Sequence, residues 1–110
     1  MNWIPLRSAE QLEEIRERST ARPQLIFKHS TRCSTSALVK GRLERGEAPQ
    51  AIDFYYLDLI NYRPVSNIVA DAFQIDHESP QVLLIRDGKC VYDESHLGIT
   101  MDDIVDATAF

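Results

Sequence analysis

Residues 52–59 constrain the fold more than any other stretch of the chain. Ile52, Phe54 and Tyr56 share one face of an extended segment, and Tyr55, Leu57 and Leu59 share the other. A strand that is apolar on both faces belongs in a sheet covered from both sides, which calls for helices above and below it. With 110 residues in all, one such layered unit uses the whole chain, so a single domain over 1–110 is expected.

The flanking patterns supply the other elements. Ser8 and Gln11 form a capping-box pair, and Leu12 and Ile15 give a narrow apolar stripe for a helix ending near Ser19–Thr20. Arg22-Pro23 breaks it, and Gln24-Leu25-Ile26-Phe27 reads as a short buried strand. A second helix follows Cys33, runs through Ala37, Leu38, Val39 and Leu43, and stops at Gly46. Pro64 suits the first position of a third helix, in which Val65, Ile68, Val69, Ala72 and Phe73 recur at helical spacing.

Val82–Ile85 and Cys90–Tyr92 flank Asp87-Gly88, a strong signal for an antiparallel hairpin, and alternation puts Cys90 on the same face as Tyr92. Thr100 with Asp103 caps a final helix carrying Met101, Ile104 and Val105. The order is α-β-α-β-α-β-β-α. The first two strands are parallel through a right-handed crossover, and the hairpin completes a four-stranded mixed sheet with helices on both faces. That is the α/β order of the thioredoxin fold.

Composition removes several function classes. Twelve Lys+Arg against 17 Asp+Glu give a net charge of −5, which argues against a general nucleic-acid or anionic-membrane binder. A hydrophobic content of 44% is too high for a disordered tail. Two cysteines are too few for a disulfide framework or a structural zinc site. No apolar run reaches the length of a membrane span, and Met1–Arg7 lacks the basic and apolar regions of a secretion signal. A cytoplasmic location is therefore expected, where thiols stay reduced.

Cys33 stands where the first strand hands over to a helix. A lone cysteine is more often a small buried hydrophobe, but a helix N-terminus changes its chemistry. Unpaired backbone N–H groups and the positive end of the macrodipole favour the thiolate by about 0.3–2 kcal/mol. Thr35 and Ser36 add hydroxyls within one turn, and Arg32 adds a solvent-screened positive charge. Spacing then limits the reaction. In Cys33-Ser34-Thr35-Ser36 a hydroxyl takes the place of the second sulfur that would resolve a mixed disulfide. The product of attack therefore waits for an external thiol. Val39 occupies the sixth position after Cys33, so the arginine of a phosphatase loop is absent.

Ser79-Pro80 precedes the third strand. In this fold order the proline is the one expected to be cis, with the Ser79 backbone beside the cysteine and ready to pair with an extended substrate. His29, His77 and His96 all lie near element ends that could face the same groove. A Cys33–His29–His77 metal site has no recognised ligand spacing, and no metal is expected. Cys90 reads as a buried or half-buried thiol; a resolving role would need its Cα within about 7 Å of that of Cys33.

Four segments resemble a known family: His29-Ser30-Thr31-Arg32-Cys33, Arg63-Pro64-Val65-Ser66-Asn67, His77-Glu78-Ser79-Pro80-Gln81, and Ser95-His96 with Ile99-Thr100. Together they are similar to the YtxJ family, small thioredoxin-like proteins assigned to the bacillithiol system as monothiol bacilliredoxins. The family's usual Thr-Cys-Pro-Ile-Ser matches here at Cys33 and Ser36, while Arg32, Ser34 and Thr35 replace the remaining residues. The resemblance implies removal of a low-molecular-weight thiol from oxidised proteins, with bacillithiol or another small thiol as co-substrate and no bound cofactor. S-thiolated client proteins would be the partners.

The expected site has Cys33 as nucleophile and Ser36 stabilising its thiolate, with Arg32, Ser34, Thr35, Ser79, Pro80 and His96 contacting substrate. Residues 28–45 hold Lys28, Arg32, Lys40, Arg42 and Arg45 against Glu44 alone, which would suit an anionic small thiol. Alternatives are a redox-inert docking module using the same groove, and a dithiol oxidoreductase pairing Cys33 with Cys90. A monothiol iron–sulfur carrier ranks below these, because its Cys-Gly-Phe-Ser motif is missing.

Overall fold

The computed structural model describes residues 1–109. Its elements are β1 (Ile4–Pro5), α1 (Ala9–Arg18), β2 (Gln24–His29), α2 (Ser34–Arg45), β3 (Asp53–Asp58), α3 (Arg63–Phe73), β4 (Gln81–Arg86), β5 (Lys89–Ser95) and α4 (Met101–Ala107), with a 3-10 turn at His96–Gly98. The sheet has five strands, not the expected four, in the order β1-β3-β2-β4-β5. The additional strand is two residues long and contains a proline, too short to show any alternation. β1 and β2 run parallel to β3, whereas β4 runs antiparallel to β2 and to β5.

Each face of the sheet supports its own core. On one side Ile26, Tyr55, Leu57, Leu83 and Ile85 meet Leu12 and Ile15 of α1 and Val65, Val69 and Phe73 of α3. On the other, Leu25, Phe27, Phe54, Val82 and Leu84 meet Val39 and Leu43 of α2 and Met101 and Ile104 of α4. Burying a side chain of this kind contributes about 1.5–3 kcal/mol, so the two-faced strands hold the layers together. Trp3 joins the second core, stacked 5.5 Å from Phe27.

The expected local signals recur in the structure. Ser8 and Gln11 form both halves of a capping box, and the Thr100 hydroxyl accepts from the Asp103 N–H at 3.1 Å. Asp87 and Gly88 both have positive φ, 53° and 77°, the turn geometry that tight hairpins require.

Several expectations need correction. β2 runs on to His29 rather than stopping at Phe27, which brings Lys28 and His29 into the sheet. α3 begins at Arg63, one residue before Pro64. Ile68 is 40% exposed while Ser66 is buried in the helix interior. A register shift at Leu84/Ile85 sets Leu84 opposite Tyr92 but Ile85 opposite Cys90. The bulge turns Cys90 and Tyr92 to opposite faces of the sheet: Cys90 packs on the α1/α3 core and Tyr92 on the α2/α4 core.

Candidate active site

β2 delivers the chain to the site. Beyond His29, Ser30–Cys33 forms a tight turn in which the Cys33 N–H donates to the Ser30 carbonyl at 3.2 Å. The Arg32 N–H donates to the Ser30 hydroxyl at 3.3 Å. Cys33 is the N-cap of α2, in extended conformation, and its carbonyl accepts from the Ala37 N–H at 3.1 Å. Its thiol is half-buried and free. Its side chain makes no capping hydrogen bond to the first turn of α2, whose N-terminus it occupies.

Ser36 is fully buried. Its hydroxyl accepts from the Ser30 N–H at 3.1 Å and lies 2.7 Å from His29 Nδ1. The serine in the resolving position therefore ties the helix to the strand end and sets the turn that presents Cys33. His29 in turn stacks against Phe27 and Tyr56, 5.7 and 5.5 Å away. Burial first, and then nearby Lys40, push its pKa below the usual histidine range, so the ring is neutral near pH 7.

The Ser79–Pro80 peptide is cis. Register places it at the same end of the sheet: Gln81 lies opposite Lys28, so Pro80 comes level with His29. Pro80 is buried, and the Ser79 hydroxyl is a buried group without a hydrogen-bond partner among the described residues. His96 is exposed; its N–H donates to the Pro80 carbonyl at 2.9 Å, and its Nε2 lies 3.2 Å from Glu78 Oε2. Ser34 and Arg32 are exposed and Thr35 is half-buried.

The remaining candidates sort themselves by position. His77 bonds Lys28, on the sheet face opposite His29, so His29 and His77 do not converge on Cys33. Cys90 lies opposite Ile85, and Ile85 opposite Gln24, at the far end of β2 from the Cys33 turn. Five residues of strand and two interstrand spacings separate the sulfurs by on the order of 20 Å, well beyond disulfide reach. The dithiol reading is thereby excluded. Burial, then Asp93, raises the Cys90 pKa to about 11, and its S–H donates to the Tyr92 carbonyl at 3.3 Å.

The basic segment is less concentrated than its sequence suggests. Lys40 pairs with Glu44 at 2.9 Å, and Arg42 donates to the Leu97 and Ile99 carbonyls at 3.0 and 3.1 Å. Lys28 is wholly buried. Arg32 and Arg45 remain exposed, and of the two Arg32 is the one adjacent to Cys33 in the chain, Arg45 lying at the far end of α2.

A half-buried thiol at a helix N-terminus, level with a cis-proline, matches a recognised constellation. The family described as monothiol bacilliredoxin BrxC matches residues 4–104. The chain belongs to that family. Among solved structures, this bacilliredoxin-family chain is similar to one described as an oxidoreductase with a thioredoxin fold. That match has 28% identity and a TM-score of 0.83 over 94% of this chain and 91% of the other. It also resembles the thioredoxin of Malassezia sympodialis at 13% identity, with a TM-score of 0.75 over 97% and 89% of the two chains. The thioredoxin of Fasciola hepatica matches at 17% identity, with a TM-score of 0.72 over 94% and 95%. The fold is thioredoxin-like, and the family and fold together make the chain a thiol–disulfide oxidoreductase. No helix among the described residues is long and apolar enough to cross a membrane.

Proposed function

We propose that the protein removes a low-molecular-weight thiol of bacillithiol type from protein mixed disulfides, with Cys33 as nucleophile. The observation that carries this reading is the pairing of a free Cys33 with a hydroxyl, not a sulfur, at Ser36, while Cys90 lies out of reach. The Cys33 thiolate attacks the small thiol's sulfur in the mixed disulfide. A new S–S bond joins Cys33 to the small thiol, and the client leaves as a thiolate that takes a proton from water. A second small thiol, as thiolate, then attacks the sulfur of the first. The small-thiol disulfide departs and Cys33 is restored.

Arg32 would face the carboxylates of an anionic small thiol. The Ser79–Pro80 backbone, with Ser34, Thr35 and His96 around it, would align the client chain. A client protein S-thiolated with bacillithiol, incubated with the reduced enzyme, tests the reading by intact mass. The expected result is loss of the adduct from the client and its appearance on Cys33. Capture of client by Cys33→Ser as efficiently as by wild type, with no transfer by either, would instead establish a redox-inert docking module.

A further inference from the structure

Two neighbouring strands raise buried polar side chains at one register, directly beneath the loop that carries Ser79–Pro80. Lys28 of β2 lies opposite Gln81 of β4, and neither is more than 1% exposed. Gln81 donates through Nε2 to the Asp76 carbonyl at 3.0 Å and accepts from the Glu78 N–H at 3.4 Å. Lys28 Nζ donates to the Ser66 carbonyl and to His77 Nδ1, both at 3.2 Å. The Ser66 hydroxyl lies 3.4 Å from the same ring nitrogen. Three consecutive residues, Asp76, His77 and Glu78, are thus held from below, and Ser79–Pro80 follows at once.

A buried ammonium ordinarily sits against a carboxylate. None of the ion pairs among the described residues involves Lys28. Its partners are a carbonyl and a ring nitrogen. Burial, and then Arg63, lower the Lys28 pKa to about 8, so near pH 7 it is chiefly an ammonium; an ammonium can only donate, so His77 Nδ1 accepts and the ring proton sits on Nε2.

We propose that Lys28 and His77 are positioning residues for exchange at Cys33: with Gln81 they clamp the segment that aims Ser79–Pro80, and protonating His77 opens the clamp. The groups facing His77 set the balance. Lys28 of β2 and Arg63 of α3 oppose a second proton on the ring, as does burial, the largest contribution; Glu78 favours it, and together these hold the pKa below the usual histidine range. Asp71 and Asp76 line the cleft on the outer side of the ring. Once protonated at Nδ1, His77 offers Lys28 no acceptor and presents it with a second cation. The loop then loses its central anchor, and the Gln81 bonds to Asp76 and Glu78 on either side are left without its support.

Two readouts keep this proposal apart from the reading of Cys33 on which its kinetic arm rests. The first is ring and amide NMR of the full chain between pH 7.5 and 5. The Nε2–H tautomer of His77 is expected at pH 7.5. The protection factors of the Glu78 and His96 amides are expected to fall at least about tenfold at pH 5, and to hold in His77→Gln, which keeps an acceptor that does not titrate. Lys28→Met, which removes the facing cation, should move the His77 transition upward towards the ordinary histidine range. A protonated Nδ1 at pH 7.5, constant protection in wild type, or an equal fall in His77→Gln overturns the clamp.

The second readout is exchange with a cysteinylated peptide. KM is expected to rise at least about fivefold from pH 7.5 to 5.5 in wild type and to stay level in His77→Gln, with the pH dependence of kcat the same in both. Equal KM profiles overturn the link to substrate. Absence of exchange by wild type at every pH overturns the assignment of Cys33 instead, and the clamp is then decided by the NMR measurement alone.

Discussion

The two cysteines share one domain and differ in nearly every respect that governs thiol chemistry. Cys33 stands half-buried at the N-terminus of α2, at the end of β2 where the cis-proline also lies, with Arg32 exposed next to it in the chain. Cys90 lies at the other end of the sheet on the opposite face, packed on the α1/α3 core and donating to the Tyr92 carbonyl. Asp93 and burial hold it as a thiol, with its pKa raised to about 11. Composition counts two equivalent residues; position suits one to the nucleophile's part proposed for it and makes the other a packing group.

The largest expected effect breaks the pair apart. Cys33→Ser should abolish transfer of a small thiol from a mixed disulfide, a loss of at least about a thousandfold, because no other cysteine lies at that end of the sheet for the covalent intermediate to form on. Cys90→Ser should stay within about twofold of wild type in the same assay. Comparable losses in both variants would contradict the division. Alkylation reads the same contrast directly. At pH 7.5 a thiol with a pKa of about 11 is thiolate in roughly one molecule in three thousand. Iodoacetamide should therefore modify Cys33 at least about a hundredfold faster than Cys90, as measured by peptide mass spectrometry over time.

Ser36→Cys sharpens the contrast by supplying the missing sulfur at the right end of the sheet. The oxidised variant should lose two hydrogens in an internal disulfide, whereas wild type carries a small-thiol adduct, and intact mass distinguishes the two. Losing the Ser36 hydroxyl also strips bonds from Ser30 and His29, so stability should fall by about 1–2 kcal/mol.

The smallest effect concerns Cys90 and pH. Its pKa is raised in the folded state, from 9.0 to about 11, so between those values the native protein holds a proton that the unfolded chain has released. The resulting stabilisation is complete below pH 9 and is lost as pH rises through 11. Denaturant midpoints for wild type should therefore fall relative to Cys90→Ala over that interval. Parallel curves would show that the thiol titrates alike in both states.

Much of this arrangement was legible in the order of residues, because its signals are local. The capping box at Ser8 and Gln11, the two-faced apolar strand at 52–59, and the Asp87-Gly88 turn each depend on neighbours within a few positions. The place of Cys33 at the start of α2 followed from strand-to-helix spacing. What escaped depends on contacts distant in sequence. The bulge that reverses Cys90 is set by pairing between β4 and β5, and alternation within one strand cannot reveal it. β1 exists because Ile4 and Pro5 find Tyr55 and Tyr56 some fifty residues away.

Lys28 and Ser36 both have partners outside their own elements. A lysine after Phe27 reads as the end of a buried strand, yet the central strand of a covered sheet buries whatever it carries. Lys28 finds its acceptors in α3 and in the 74–80 loop. The hydroxyl of Ser36, expected beside the thiolate, also accepts from the Ser30 N–H and lies within hydrogen-bond distance of His29 Nδ1. A strand end at His29 with a serine seven residues on was the available clue to that bond.

The two margins of the sheet also bear on how another chain can approach. β1 offers only two residues, one of them a proline with no N–H to give. β5 is interrupted by its bulge, and its outward positions include exposed Lys89 and Asp93. Such borders discourage another chain from joining the ladder sideways, and with it the unspecific stacking of copies that open β-margins invite. A client of the proposed kind would meet this molecule end-on, at the strand tips that carry the cis-proline and the Cys33 turn.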